Sequence, residues 1–365
     1  MNQLKMSFRW FGPTDSVKLN QIRQIPMTRQ IVGMLPDIPV GEVWPQPAIH
    51  ALKEQVNQAG FKLEVIESVN IHDDIKIGLP SRDALIANYC QTIKNLAAED
   101  IKVICYNFMP IFDWVRTTLE LPLYDGSKAM QFKSSDLPEN PEALFNQIQE
   151  TSPHFTLPGW EPERLGHLKQ LFNQYQNVDE AKLRANLKYF LDAVIPVCEK
   201  YGIQMAMHPD DPPMPLFGLP RIYKNISDMR QIEALHSSPM NAFTICTGSL
   251  GENPENNVPA IIREFVAKQK APFVHLRNIK HSEANPADFR ESAHESAEGS
   301  LDMFETMRAL DDSHFTGYVR PDHGRNIWNE NGRPGYGLYD RALGITYLLG
   351  LWEAIQRTRH QAEFF

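Results

Sequence analysis

The short apolar run IQMAMH at Ile203–His208 precedes helically spaced apolar residues over Ser227–Leu235, and a second apolar run, AFTICT, follows at Ala242–Thr247. Short strand-like runs that alternate with a helix-like period are typical of parallel strands joined by helices. Such connections cross over with a right-handed sense in nearly all proteins. This stretch therefore predicts one strand–helix–strand unit of an α/β fold.

The same alternation extends outward over the chain and gives eight strand–helix units. Further strands are predicted at Ser7–Gly12, Ile31–Met34, Lys62–Ser68, Lys102–Phe108, Phe273–Asn278 and Gly317–Asp322. Further helices are predicted from the spacing of Val17, Leu19, Ile22 and Ile25, and at Pro47–Ala59, Arg82–Ala98, Glu180–Tyr201, Val258–Lys268, Ser300–Leu310 and Leu338–Arg357. Eight units favour closure into a (β/α)8 TIM barrel. An open doubly wound sheet is the alternative, but no G-x-G-x-x-G turn follows any strand. We therefore expect one barrel domain over residues 1–365.

One long interruption, residues 109–178, separates the fourth predicted strand from its helix. It is too long for an ordinary connection, and it contains helical patterns of its own at Pro141–Glu150 and Glu161–Tyr175. Loops after barrel strands form the mouth of the active site. The sequence therefore predicts a helical insertion subdomain that serves either as a lid or as a structural or dimer contact.

Charge and composition restrict the class of protein. The 365 residues include 36 Lys and Arg against 45 Asp and Glu, which gives a net charge of −9. A field of that sign disfavours nucleic-acid binding. No apolar run approaches the ~20 residues of a membrane helix, and the first residues lack a signal-peptide pattern. The four cysteines form no C-x-x-C pair. We therefore expect a soluble, cytoplasmic protein with free thiols that binds neither nucleic acid nor membrane.

Potential metal ligands occur on the last four predicted strands. His208 ends the fifth strand, Cys246 nearly ends the sixth, His275 lies in the seventh and Asp322 ends the eighth. Because parallel barrel strands present their carboxyl ends at one rim, these side chains should lie close together although they are distant in sequence.

The two-residue period of a strand supports that expectation. The bulky apolar residues of these strands share one parity and should face the helices. They are Met205, Met207, Phe243, Ile245, Val274, Leu276 and Val319. The four candidate ligands fall on the opposite, interior parity. His323 takes the outward parity, but it lies at the strand's end, where the chain leaves the sheet.

Two imidazoles, a thiolate and a carboxylate form a plausible ligand set for a divalent transition metal such as Mn, Fe, Co or Zn. Each has an ordinary structural explanation when taken alone: hydrogen bonding for histidine, packing for cysteine, and capping or pairing with Arg325 for Asp322. Their joint occurrence at four consecutive strand ends favours a metal site. The other three cysteines, Cys90, Cys105 and Cys198, are expected to be packing residues.

The rim also carries side chains that suit an anionic ligand. Arg9 lies in the first strand, Asn107 ends the fourth, and Arg277 and Asn278 end the seventh. A guanidinium fork matches a carboxylate, so these residues predict a small acid substrate. For Arg9 and Arg277 an ion pair within the protein is the open alternative. Arg320 is expected to form a buried ion pair inside the barrel.

A phenol is predicted at the mouth, because two glycines flank Tyr336 in RPGYGLYDRAL at Arg333–Leu343. Tyr336 either forms a wall of the pocket or takes part in acid–base chemistry. Tyr339 begins the last helix and is expected to pack.

Long, ordered motifs that together span essentially the whole chain resemble those of the mannonate dehydratase family. They are RWFGP at Arg9–Pro13, MAMHPDDPP at Met205–Pro213, FTICTGSLG at Phe243–Gly251, FVHLRN at Phe273–Asn278, RPDHGR at Arg320–Arg325 and RPGYGLYDRALG at Arg333–Gly344. The resemblance implies a TIM barrel that dehydrates D-mannonate to 2-keto-3-deoxy-D-gluconate with Mn²⁺ or Fe²⁺ in glucuronate catabolism.

The resemblance also implies roles for individual residues. The metal ligands would be His208, Cys246, His275 and Asp322. The acid–base residues would be His323 and Tyr336, with Tyr339 as the alternative phenol and Asp322 as both ligand and participant. The expected partner is a small sugar acid, and a homo-oligomer, specifically a dimer, is expected.

Two other classes of function remain as alternatives. A metal-dependent sugar or sugar-acid isomerase on a related barrel would be expected to use a carboxylate-rich site, often with two metals. The two histidines and the cysteine among the four candidate ligands argue against an isomerase of this kind. A non-catalytic sugar-acid binding protein would not need a metal shell that contains a cysteine.

Overall fold

The computed structural model describes residues 4–152 and 168–362, and eight parallel strands close into a barrel. The barrel strands are β1 (Lys5–Arg9), β2 (Gln30–Gly33), β3 (Lys62–Glu67), β4 (Val103–Tyr106), β5 (Gln204–Met207), β6 (Asn241–Cys246), β7 (Phe273–Leu276) and β8 (Tyr318–Pro321). Each strand pairs with its neighbours in sequence, and β8 pairs with β1 to close the ring. The closed ring confirms the predicted TIM barrel and excludes an open doubly wound arrangement of these eight strands.

Helices follow the barrel strands along the chain, and two further helices lie in the interruption after β4. They are Leu19–Ile22, Gln46–Gln58, Asp73–Ile77, Arg82–Ala98, Pro141–Thr151, Leu168–Tyr175, Glu180–Tyr201, Ile226–Leu235, Thr247–Gly251, Val258–Ala267, Met303–Asp312 and Tyr339–Ala362, with a 3₁₀ turn at Ser134–Asp136. The side chains of Asn140, Asp179, Asn225, Asn257 and Asp302 each accept a hydrogen bond from the backbone N–H three residues ahead. Such caps satisfy an N–H group that lacks a partner within the helix. No helix in the described ranges is long and apolar enough to cross a membrane.

Strand alternation divides the buried side chains into two clusters. The cluster inside the barrel contains Val32, Val65, Val103, Cys105, Ala206, Phe273 and Tyr318. The larger cluster, which includes Met205, Met207, Phe243, Ile245, Val274, Leu276 and Val319, lies between strands and helices. The apolar parity predicted for the last four strands is thus observed. Side chains on the other parity point into the barrel, which directs polar residues at the strand ends toward its mouth.

The interruption after β4 contains strands as well as helices. The predicted helix at Pro141–Glu150 is found at Pro141–Thr151, and the one predicted at Glu161–Tyr175 is found at Leu168–Tyr175, with its first part outside the described residues. The insertion also contains two strands that the sequence analysis did not predict. Strands Thr118–Pro122 and Lys128–Phe132 form a hairpin that joins Phe289–Glu291 and Ile279–His281 in a four-stranded antiparallel sheet.

A turn signal for this hairpin is present in the sequence. Asp125–Gly126 lies between two short runs with strand-like composition, and Gly126 has a φ of +82°. Asp-Gly is a common hairpin turn because this conformation suits glycine. The strands have only three to five residues, and half of the sheet comes from the segment after β7. The two-residue period of such short strands therefore gave little evidence for the four-stranded sheet. The sheet connects the segments that follow β4 and β7.

Candidate active site

The four predicted metal ligands meet at the carboxyl ends of β5 to β8. Cys246 on β6 lies in register with His275 on β7, and His275 lies in register with Arg320 on β8, two residues before Asp322. One donor atom from each of His208, Cys246, His275 and Asp322 lies within 4.8 Å of the other three. Three of the four side chains are buried, and His208 is partly exposed. The strand alternation brought these side chains together as predicted.

The two imidazoles keep ring nitrogens available. Nδ1 of His208 lies 2.7 Å from the carbonyl oxygen of Pro209, an arrangement in which Nδ1 donates and Nε2 keeps its lone pair. In His275, Nδ1 lies 3.4 Å from Arg320 Nη2, which can donate to it, and 3.7 Å from Asp322 Oδ1. Nε2 of His275 forms no hydrogen bond within the described part of the chain, although it is buried. A buried ring nitrogen without a partner is costly unless a ligand satisfies it.

Asp322 is held as a carboxylate by its surroundings. Burial opposes its ionisation, but His323, Arg320, His275 and Arg277 hold the pKa of its carboxyl group well below the usual range. Arg320 Nη1 lies 2.8 Å from Oδ1, and Arg277 Nε lies 3.2 Å from Oδ2. The Cys246 sulfur lies 3.4 Å from Oδ2. The site therefore combines an anionic oxygen with a thiol in a buried position.

Glu67 is a residue of this site that the sequence analysis missed. It ends β3 and pairs with Arg320 through both carboxylate oxygens, at 2.9 and 3.1 Å. Its Oε2 lies 3.5 Å from His275 Nε2. Glu67, Cys105 and His275 form a second group with donor atoms close enough for a metal. Glu67 has the same parity as Val65, which lies inside the barrel, so alternation along β3 could have identified it.

His323 and Tyr336 form a hydrogen-bonded pair beside the four ligands. His323 Nε2 lies 2.9 Å from the Tyr336 hydroxyl oxygen. Burial raises the pKa of the Tyr336 phenol, so it remains protonated at neutral pH. Gly335, the residue before Tyr336, has a φ of +76°, a conformation that suits glycine. A Cβ at this position would lie 2.3 Å from the Met130 Cε, so the backbone beside Tyr336 requires a glycine. Tyr339 is 40% exposed and packs against Trp328. Of the two tyrosines, Tyr336 is the one in the site.

A cavity of about 1390 Å³ opens above these residues. Its lining includes six of the predicted site residues, Arg9, Asn107, His208, Asp322, His323 and Tyr336. Arg9 is 5% exposed, and its Nη1 is buried without a hydrogen-bond partner in the described structure. Its guanidinium lies 4.6 Å from the centre of the Phe11 ring. The Asn107 side chain bonds Asp113 at 2.7 Å. The cavity therefore holds a buried guanidinium nitrogen that a substrate carboxylate could satisfy.

The structure does not support a substrate contact for Arg277 or Asn278. Both are fully buried, and neither lines the cavity. The Arg277 guanidinium is surrounded by the carboxylates of Asp211, Glu252, Glu291 and Asp322, at 2.6 to 3.2 Å. The Asn278 amide donates to backbone carbonyl groups of the segment after β7. For Arg277 the ion pair within the protein, which the sequence left open, is the arrangement found.

Comparisons with known proteins identify the family of this chain. A family model described as D-mannonate dehydratase matches residues 4–362. The mannonate dehydratase of Lactococcus lactis subsp. cremoris is 56% identical over 357 residues, which cover 98% of this chain and all of the relative. That of Thermotoga neapolitana is 54% identical over 360 residues, 98% of this chain and 99% of the relative.

Solved structures divide into two groups by similarity. The crystal structure of mannonate dehydratase from Streptococcus suis serotype 2 superposes with a TM-score of 0.88, at 43% identity, over 98% of this chain and 96% of that one. A xylose isomerase-like barrel from Mycobacterium smegmatis has a TM-score of 0.52 at 12% identity, over 92% and 87% of the two chains. At that identity the likeness shows the fold alone. The chain belongs to the D-mannonate dehydratase family of hydro-lyases.

Proposed function

We propose that this protein removes water from D-mannonate to give 2-keto-3-deoxy-D-gluconate, with one divalent cation, Mn²⁺ or Fe²⁺, and acts in glucuronate catabolism. The observation that carries the proposal is the set of four donor atoms within 4.8 Å of one another beside the His323–Tyr336 pair. We further propose that the enzyme is cytoplasmic, which its free thiols favour, and that it forms a homodimer.

The residues at the strand ends fit a divalent transition metal. His208, Cys246, His275 and Asp322 offer two nitrogens, one sulfur and one oxygen, a mixture that suits first-row metals. Among the described residues, the buried Nε2 of His275 has no hydrogen-bond partner, and such a cation, or Glu67 at 3.5 Å, would satisfy it. A bound cation would supply positive charge for the carboxylate of the substrate and for the negative charge that develops when C2 loses its proton.

Two side chains would orient the substrate. The unpartnered Nη1 of Arg9 lies in the cavity wall, where a guanidinium can donate to a carboxylate oxygen. Asn107 lines the same cavity from the end of the fourth strand. Because Arg9 is largely removed from water, its interaction with an anion is screened less than it would be at the surface.

Dehydration requires two proton movements. The proton on C2 must be taken by a base, and the hydroxyl on C3 must receive a proton as its bond to carbon breaks, so that it leaves as water. His323 and Tyr336 are hydrogen-bonded at 2.9 Å and both line the cavity. An imidazole can accept or donate a proton near neutral pH. We assign this pair to the two transfers, with Asp322 as an additional participant.

Turnover tests the proposed reaction directly. The purified chain, loaded with Mn²⁺ or Fe²⁺, should convert D-mannonate to a 2-keto-3-deoxy acid, whereas D-altronate and D-fructuronate serve as comparison substrates. Removal of the metal by a chelator should abolish the reaction, and addition of Mn²⁺ should restore it. Full activity in a sample shown by elemental analysis to be metal-free would refute the metal requirement.

The substitution Cys246→Ser should weaken metal binding more than it changes the fold. A hydroxyl is a far poorer ligand than a thiolate, and the change in volume is small. We expect a rise in the dissociation constant for Mn²⁺, measured by titration calorimetry, with an unfolding temperature near that of the wild type. Cys90→Ser is the matched control, since Cys90 lies on the helix Arg82–Ala98 and belongs to neither group of potential metal ligands in the described residues. Equal metal affinity in the two variants would make Cys246 a packing residue.

The substitution His323→Asn should separate proton transfer from metal binding. General acid–base catalysis typically contributes ~10²–10⁴-fold, and kcat should fall by about that factor because asparagine does not ionise near neutral pH. Metal content, measured by elemental analysis, should remain near the wild-type value. His208→Asn is the comparison, and it should lose metal and activity together. A His323→Asn protein without metal would identify His323 as a ligand, and one with full turnover would identify it as a bystander.

A further inference from the structure

Five charged residues form a buried cluster that adjoins His323 and that the proposed reaction leaves unexplained. We call them the arginine cluster: Arg116, Asp211, Glu252, Arg277 and Glu291. Their side chains are 0–2% exposed. Arg116 comes from the insertion after β4, Asp211 and Glu252 follow β5 and β6, and Arg277 and Glu291 follow β7. Buried charges are costly unless they are paired, and here two guanidinium groups face three carboxyl groups.

Glu252 and Glu291 both contact the guanidinium groups of Arg116 and Arg277, but they differ in their contact with His323. Glu291 Oε1 lies 2.6 Å from Arg277 Nη1, 2.9 Å from Arg116 Nη2 and 3.1 Å from His323 Nδ1. Glu252 Oε1 lies 3.1 Å from Arg116 Nη2 and 3.2 Å from Arg277 Nη2. Within the described chain, no hydrogen bond or ion pair joins Glu252 to His323. Of the two glutamates, Glu291 is therefore the one that contacts the imidazole.

The two carboxyl groups also differ in charge. Burial raises the pKa of a carboxyl group, but Arg277 and Arg116 lower that of Glu291 to about 2, so it is ionised at neutral pH. Burial and the neighbouring Asp211 carboxylate raise the pKa of Glu252 well above its usual value. Glu291 is therefore the carboxylate that can act only as a hydrogen-bond acceptor.

The ionised carboxylate determines which nitrogen of His323 carries the proton. Since Glu291 only accepts, the contact at 3.1 Å requires Nδ1 of His323 to donate. Arg277 Nη1 also lies 3.3 Å from Nδ1, but its shorter bond is made to Glu291. In the neutral ring, Nε2 then carries the lone pair. The Tyr336 hydroxyl, 2.9 Å away, donates to it.

We propose that Glu291 is a positioning residue for the dehydration, because it holds His323 in the Nδ1–H tautomer and directs the Nε2 lone pair toward Tyr336 and the cavity. When Nε2 accepts a proton, the ring becomes an imidazolium, and the Glu291 carboxylate on its other side stabilises that charge. A buried carboxylate has the same role behind the histidine of serine hydrolases. The role assigned here rests on the proposed function, in which His323 transfers protons.

The tautomer can be measured without any substrate. The full chain, with ¹⁵N-labelled histidine and with Zn²⁺ as a diamagnetic metal, gives one pair of nitrogen resonances for each of its 12 histidines. The His323 pair is the one absent from the spectrum of His323→Asn. We expect a protonated Nδ1 and an unprotonated Nε2 in the wild type. A protonated Nε2 with a bare Nδ1 would overturn the proposal.

Kinetics of two isosteric substitutions test the consequence for catalysis. Glu291→Gln should change or mix the His323 tautomer and lower kcat by about 10²–10⁴-fold, the scale of general acid–base catalysis, with KM and metal content near those of the wild type. Glu252→Gln alters the same arginine contacts without touching His323, and it should leave tautomer and kcat near the wild-type values. Equal losses of kcat in the two variants would reduce Glu291 to a structural role.

The outcomes separate this inference from the proposed function. If the wild type does not dehydrate D-mannonate, the proposed function fails, whereas the tautomer measurement still stands on its own. If it does, but Glu291→Gln keeps both the tautomer and kcat, only the role of Glu291 is wrong. If Glu291→Gln does not fold, the tautomer of the wild type still decides whether Nδ1 donates to Glu291.

Discussion

Parallel strands that close into a barrel direct all of their carboxyl ends to one rim, and the alternation along each strand decides which side chains reach the interior. On β5 to β8 this constraint turns bulky apolar residues toward the helices and polar residues toward the mouth. Consecutive candidate ligands are separated by 29 to 47 residues in the chain, yet one donor atom of each lies within 4.8 Å of the others. The other side chains of the site, including the His323–Tyr336 pair, lie around these four donor atoms.

Pairing of charged groups is the second requirement of this site, because the side chains at the carboxyl ends of the barrel strands are largely removed from water. Arg320 connects Glu67 on β3 with Asp322 after β8, and the arginine cluster surrounds the other side of the site. A lone buried charge would be costly, whereas these contacts satisfy most of the charged groups at short distances. The pairs also fix orientation: Asp322 is held between two guanidinium groups, and His323 lies between Glu291 and Tyr336. The same electrostatic contacts thus support both a metal-binding set and a proton-transfer pair.

The sequence predicted the parts of this arrangement that depend on local periodicity and strand order. Alternation identified the eight strands, the interior parity and the four candidate ligands. Glu67 obeys the same rule, since it shares the interior parity of Val65 on β3. Arg277 and Asn278 were correctly placed near the end of β7, but residue type alone could not show that protein carboxylates and carbonyl groups occupy their donors. The four-stranded sheet and the contact between Arg116 and Glu291 depend on pairing between distant segments, which periodicity does not report.

The central claim is that the strand-end donors form one site for one divalent cation. Anomalous diffraction from crystals of the full chain grown with Mn²⁺ tests it most directly. The account predicts a single strong anomalous peak inside the barrel mouth, in bonding contact with His208, Cys246, His275 and Asp322. A peak bound instead by Glu67 and Cys105, or a barrel mouth without any peak in crystals of an enzyme that requires Mn²⁺ for turnover, would contradict it.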